Sequence, residues 1–218
     1  ESYTGPKDLK FWFDHLNPGS GSIAPSIDAN GIPAVEVSAA GQAVAFRNGQ
    51  AAVTGKYKDV GRIQISVKDD SQPHPDLPDG IRGATAGFVV KPYQFALSAI
   101  EDGAGGPNPA AVDANGGAFV AAGETFSITV SALDAEGDIT PNYGQESIAE
   151  TVALTTTLVA PLAGDNPPLT GGFGAFVNGQ ASGTNVNWPE VGIITLTPFV
   201  GDGDYLGAGD VAGAASGN

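Results

Sequence analysis

Three aspartates set among glycines, Asp202, Asp204 and Asp210, have the side chains and the loop composition to gather oxygen ligands around calcium. Calcium is a hard cation that carboxylates and carbonyls satisfy in a flexible loop. The spacing is not that of an EF-hand, and no closing bidentate glutamate follows. Asp134, Glu136 and Asp138 form a second acidic turn. At both places the simpler reading is a solvated turn whose aspartate accepts hydrogen bonds from nearby main-chain N–H groups. Calcium is the one cofactor the sequence suggests, with Asp202, Asp204 and Asp210 as its ligands, and no catalytic residue is assigned.

Other chemistries find less support. Histidine occurs twice, as His15 beside Asp14 and His74 between prolines, and neither has zinc spacing. His15 reads as a strand-end side chain packed beside Trp12 or hydrogen-bonded to the main chain. There is no G-x-S-x-G elbow for a hydrolase nucleophile and no phosphate-binding G-x-x-x-x-G-K-[ST] loop. Nothing pairs two carboxylates across a glycosidic bond. Cysteine is absent, which removes disulfides, thiolate nucleophiles and Cys-based zinc sites. The 9 Lys and Arg stand against 24 Asp and Glu, and a net charge of −15 repels nucleic acid. No run of 18 or so apolar residues marks a transmembrane segment, and residues 1–3 are not a secretion signal. If the protein is exported, its leader has been removed or lies outside this chain.

Positioning any of these groups falls to β-strands. In residues 124–134, Phe126, Ile128, Val130 and Ala132 alternate with Thr125, Ser127, Thr129 and Ser131, which predicts a half-buried strand with hydroxyls on its open face. Residues 62–67 read the same way, with Ile63, Ile65 and Val67 inward. Further strands are predicted around residues 11–13, 35–37, 44–46, 88–90, 95–100, 152–158 and 173–177. Asn30-Gly31, Asn48-Gly49, Asn115-Gly116 and Asn178-Gly179 supply turns, because Asn and Gly accept positive φ.

The chain also repeats itself. Phe46-Arg47-Asn48-Gly49-Gln50-Ala51 returns as Phe176-Val177-Asn178-Gly179-Gln180-Ala181, an offset of 130. Tyr57, Asp59, Val60, Gly61, Ile63 and Ile65 are then answered by Trp188, Glu190, Val191, Gly192, Ile194 and Leu196, at an offset of 131. Tyr57 and Trp188 fall where a tyrosine corner would pack under a loop. The expected architecture is all-β, two tandem immunoglobulin-like β-sandwich domains over residues 1–92 and 93–218 with a short junction at Pro92.

Residues 87–97, Gly-Phe-Val-Val-Lys-Pro-Tyr-Gln-Phe-Ala-Leu, together with residues 122–130, 134–144 and 201–211, resemble the C-terminal region of MshQ-like proteins, which are encoded with the MSHA class of type IV pili in Gram-negative bacteria. The resemblance covers the second module densely and the end of the first. It implies a large exported β-rich protein concerned with pilus assembly or surface attachment, of which this chain is a segment, and it implies no catalytic residue. The expected function is therefore a non-enzymatic extracellular structural or adhesive module. Its expected partners are other surface or pilus subunits, or copies of itself joined at sheet edges. A carbohydrate-binding module is the alternative, with Trp12, Tyr143, Trp188 or Tyr205 as a glycan platform. A secreted hydrolase is a more distant one.

Overall fold

The computed structural model describes residues 3–71, 76–113, 115–211 and 213. The chain divides into two compact units, Glu1–Val90 and Lys91–Asn218, so the boundary expected after residue 92 falls two residues inside the second.

The first unit is built on β1 (Gly5–Asn17), β2 (Ser26–Ile27), β3 (Asn30–Gly31), β4 (Gly41–Phe46), β5 (Gly55–Lys56), β6 (Gly61–Asp69), β7 (Ile81–Ala84) and β8 (Phe88–Val90). Its main antiparallel sheet runs β4-β1-β6-β7, and β8 pairs with the first residues of the same β6. Period-two alternation in β1 turns Leu9, Phe11 and Phe13 inward, where they are buried. A small second sheet, β3-β2-β5, brings Ile27 against them, and Ile32 joins the same core with Val44 of β4. Each such side chain, fully removed from water, contributes about 1.5–3 kcal/mol.

The second unit contains β9 (Gln94–Glu101), β10 (Phe126–Leu133), β11 (Val152–Ala160), β12 (Gln180–Val186) and β13 (Ile193–Val200). They form two facing antiparallel sheets, β12-β10-β9 and β11-β13. Phe126 and Ile128 from β10, Val186 from β12 and Leu196 from β13 meet between the layers. β10 follows its sequence pattern, with Phe126, Ile128, Val130 and Ala132 all buried. Ser131 is buried too, because Gln180 Nε2 donates to its hydroxyl at 2.9 Å.

The repeat is structural as well as sequential. Asn48 and Gly49 have φ of 51° and 81°, and Asn178 and Gly179 have 50° and 75°. Both pairs form the two-residue turn whose twist matches flanking strands. Two main-chain hydrogen bonds close each turn, between Arg47 and Gln50 and between Val177 and Gln180. β1 ends at a cis Asn17-Pro18 bond and β11 at a cis Ala160-Pro161 bond, and each strand has a register shift two residues earlier. Against these ends lie Gly61 and Gly192, at φ 125° and 151°. Tyr3 stands edge-on to Phe46 at 4.7 Å, and Tyr143 to Phe176 at the same centroid distance.

Several expected elements differ. Residues 35–37 are not a strand: a 3₁₀ turn, Glu36–Ser38, forms there and leaves Val37 on the surface. The Glu36 carboxylate takes a two-point ion pair from Arg82 at 2.6 and 2.7 Å and a third bond from Lys68 at 3.1 Å, which a strand facing the core would not allow. Residues 173–177 are irregular apart from the bridge at Val177, since Gly171, Gly172 and Gly174 offer no side chains to pack on a sheet. The turn before β3 is centred on Asp28 and Ala29, both at positive φ, and Asn30-Gly31 forms the strand itself.

Candidate functional site

The acidic residues gather around two tyrosines in the second unit. Tyr143 and Tyr205 are completely buried and stacked, with ring centroids 5.7 Å apart and planes 18° apart. Phe95 of β9 and Phe176 pack edge-on against Tyr143. The Tyr143 hydroxyl donates to the Thr151 carbonyl at 2.9 Å, beside the start of β11. The Tyr205 hydroxyl donates to Glu146 Oε1 at 2.8 Å, and Glu146 is itself buried. The other oxygen of Glu146 accepts the Glu150 N–H, and Glu150 Oε1 accepts the Leu206 N–H.

Burial, followed by the charges of neighbouring carboxylates, raises the pKa of both phenols. They are neutral donors that tie the segment around residue 146 to the loop after β13. Burial also pushes Glu150 above the usual carboxylate range, and Asp202, Glu146 and Asp204 add to that shift.

The expected calcium ligands are not assembled. Asp202 Oδ1 accepts the Asp204 N–H at 3.0 Å, and Asp204 Oδ1 accepts the Gly209 N–H at 2.6 Å. Asp210 Oδ1 accepts the N–H groups of Val200 and Val211. Each carboxylate is turned back on its own loop, as an aspartate among glycines readily is. Lys91, the only Lys or Arg in residues 91–218, donates to the carbonyls of Ala208 and Asp210 at 3.3 and 2.8 Å and holds the loop from the other side.

Among the described residues the one set of three acids with ligand atoms within 4.8 Å of one another is Asp134, Glu136 and Asp138. There Asp134 Oδ1 accepts the N–H groups of Glu136 and Asp138 at 2.8 and 2.9 Å, so the turn geometry accounts for the cluster.

His15 does not pack beside Trp12, because residues three apart on a strand point to opposite faces. It stands edge-on to Phe13 at 4.9 Å and lies 6.4 Å from Tyr57, where burial lowers its pKa. Asp14 is exposed on the opposite face, and His74 lies outside the described residues.

Of the four aromatics expected as a glycan platform, Tyr143 and Tyr205 are at 0% exposure and Trp188 at 8%. Trp188 instead forms the corner its position suggests, its indole N–H donating to the Pro167 carbonyl at 3.0 Å. Trp12 is half-buried, with the Arg82 guanidinium 6.0 Å above its ring.

Sequence reasoning missed a cleft of about 660 Å³ in the second unit, walled by Ile100, Phe119, Phe126, Trp188, Ile194 and Leu196. Its walls come from segments far apart in sequence, so no local pattern announces it.

Residues 1–78 match the family model described as a domain of unknown function (DUF6701), first Ig-like domain, and residues 91–187 match that of DUF6701, second domain. No curated protein and no solved structure matches the chain. The all-β fold, the internal repeat and the two matched models agree, and the chain carries two DUF6701 domains in tandem, the first of them Ig-like.

Proposed function

We propose that this chain is a non-catalytic structural and adhesive module of an extracellular, pilus-associated bacterial surface protein, which joins other subunits through its sheet edges. The observation that supports this reading is the form of the sheets. β4 in the first unit and β11 in the second are terminal strands, each paired along one side only among the described residues. A terminal strand presents main-chain donors and acceptors that an added strand can satisfy. The likeness of residues 87–97 to MshQ-like proteins adds the pilus context.

The test is location and assembly together. Antibody raised against the chain is expected to label intact cells of the organism that encodes it and to detect the protein in the sheared surface fraction. Confinement to the cytoplasmic fraction overturns the proposal. Because a net charge of −15 opposes self-association, any assembly of the purified chain is expected to strengthen with added salt.

A further inference from the structure

The repeat also shows what the first unit has in excess. Phe46 lies 28 positions after Pro18, whereas its counterpart Phe176 lies 15 positions after Pro161, so the first unit carries 13 more residues between the same two landmarks. The extra length is taken up by the β2–β3 hairpin and the Glu36–Ser38 turn. In the second unit no strand or 3₁₀ turn lies between β11 and β12, and the two facing sheets form all the same. The sandwich does not require the addition. Segments of this kind, carried on a rigid scaffold, are where binding groups collect.

The addition is firmly held. Ile27 and Ile32 are buried in the core, and the Phe13 N–H of β1 donates to the Pro33 carbonyl at 3.0 Å. Asp28 Oδ1 accepts the Thr54 N–H at 2.7 Å, while Arg82 and Lys68 fix Glu36. Between the addition and the start of β4 lies a second cleft of about 550 Å³, lined by Asp28, Asn30, Ser38 and Gln42, with Phe11 and Pro33 as its ring-bearing residues. Small-ligand sites span roughly 300–1,000 Å³, so one ligand of modest size fits.

The protein makes little use of the polar groups there. Asn30 Nδ2 reaches the Asp28 carbonyl at 3.3 Å and Gln42 Oε1 at 3.5 Å, both at the long limit of hydrogen bonding. Among the described residues nothing bonds the Ser38 hydroxyl or Gln42 Nε2. Two carboxamides, a hydroxyl and a carboxylate set donors beside acceptors, which suits a ligand rich in hydroxyl groups, because each hydroxyl both donates and accepts. No Lys or Arg lines the cleft, so a phosphate or an acidic sugar finds no counter-charge and meets a chain of net charge −15. A single carboxylate does not make a calcium site. Phe11 and Pro33 offer enough apolar surface for the C–H face of one sugar ring and too little for a lipid chain.

We propose that this cleft binds an uncharged sugar, with Asp28, Asn30, Ser38 and Gln42 taking its hydroxyl groups. The site lies within residues 11–43 and uses none of the four aromatics expected as a glycan platform. It stands on the cleft alone and does not depend on assembly through sheet edges.

The test uses the full chain, labelled with nitrogen-15, and the methyl glycosides of glucose, galactose, mannose and N-acetylglucosamine at millimolar concentration, with sialic acid and a glucose phosphate as charged controls. At least one glycoside is expected to shift the side-chain NH₂ signals of Asn30 and Gln42, and the charged controls are expected to leave them in place. Gln42→Ala is expected to weaken that binding about tenfold, the effect of one lost hydrogen bond. Gly31 lines the cleft, and a Cβ added there meets nothing within 4 Å. Gly31→Leu is therefore expected to abolish binding with the melting midpoint unchanged.

Signals that stay fixed with all four glycosides overturn the proposal. Glycoside binding that survives Gly31→Leu places the sugar elsewhere and overturns this site. Shifts produced by the charged controls alone overturn the ligand class.

Discussion

A Cβ added to Gly192 would lie 2.5 Å from the carbonyl oxygen of Ala160, and one added to Gly61 would lie 2.5 Å from that of Asn17. The same strand-end carbonyl presses on the same glycine in both units, at a backbone φ that side chains rarely adopt. Gly192→Ala and Gly61→Ala are each expected to destabilise their own unit by about 2–3 kcal/mol, because strain and collision act together. Urea unfolding followed by probes in each unit checks this.

The Asn-Gly turns make a finer prediction. Asn178 occupies the left-handed region, which glycine adopts as readily, so Asn178→Gly is expected to be neutral within about 0.5 kcal/mol. Asn178→Ala is expected to cost about 1–2 kcal/mol, and Asn48→Ala the same in the first unit. Thermal melting of the three variants is sufficient. Equal losses for Ala and Gly would show that the asparagine side chain, rather than its backbone, matters.

Tyr205→Phe removes the donor to buried Glu146 and changes little else. The expected loss is about 1–3 kcal/mol, the cost of a buried acceptor left short of a partner. Hydrogen exchange should place the loosening at the Leu206 N–H, which Glu150 accepts from the same cluster.

Glu150 makes stability fall as pH rises. Its pKa is raised in the fold, chiefly by burial and then by Asp202, Glu146 and Asp204, so the folded state holds the proton more tightly than the unfolded chain. Its contribution is fully present below 4.5, the ordinary value, and is lost as pH rises through the folded value. Glu150→Gln is expected to raise the melting midpoint at pH 7 by roughly 1–2 °C, the modest size reflecting a largely wet side chain. At pH 4 the gain should vanish. A gain that persists at pH 4 would assign the effect to packing instead.

The elements most legible in the sequence are those whose alternation is long and chemically clean. β10 has four buried apolar residues at alternate positions, and no other structure fits that pattern. β12 escaped notice because its inward positions include Ala181 and Gly183, too small to register as a hydrophobic stripe. Residues 35–37 carry a strand-like alternation too short to outweigh the ion pairs that Glu36 finds with Arg82 and Lys68. The acidic loops were visible as acids, but which atoms they would hold was not. The Tyr205–Glu146 bond joins residues 59 apart, and only the fold brings them together.

Lys91 ties down the loop at Ala208 and Asp210, and it is followed by Pro92. Proteases that cut after lysine or arginine avoid a bond to proline, and no other basic residue follows, so trypsin has its last usable cleavage point at Arg82. Residues 83–218 should emerge from a tryptic digest as one piece even after boiling. A trypsin-like enzyme would find no bond to cut in the second unit, folded or not.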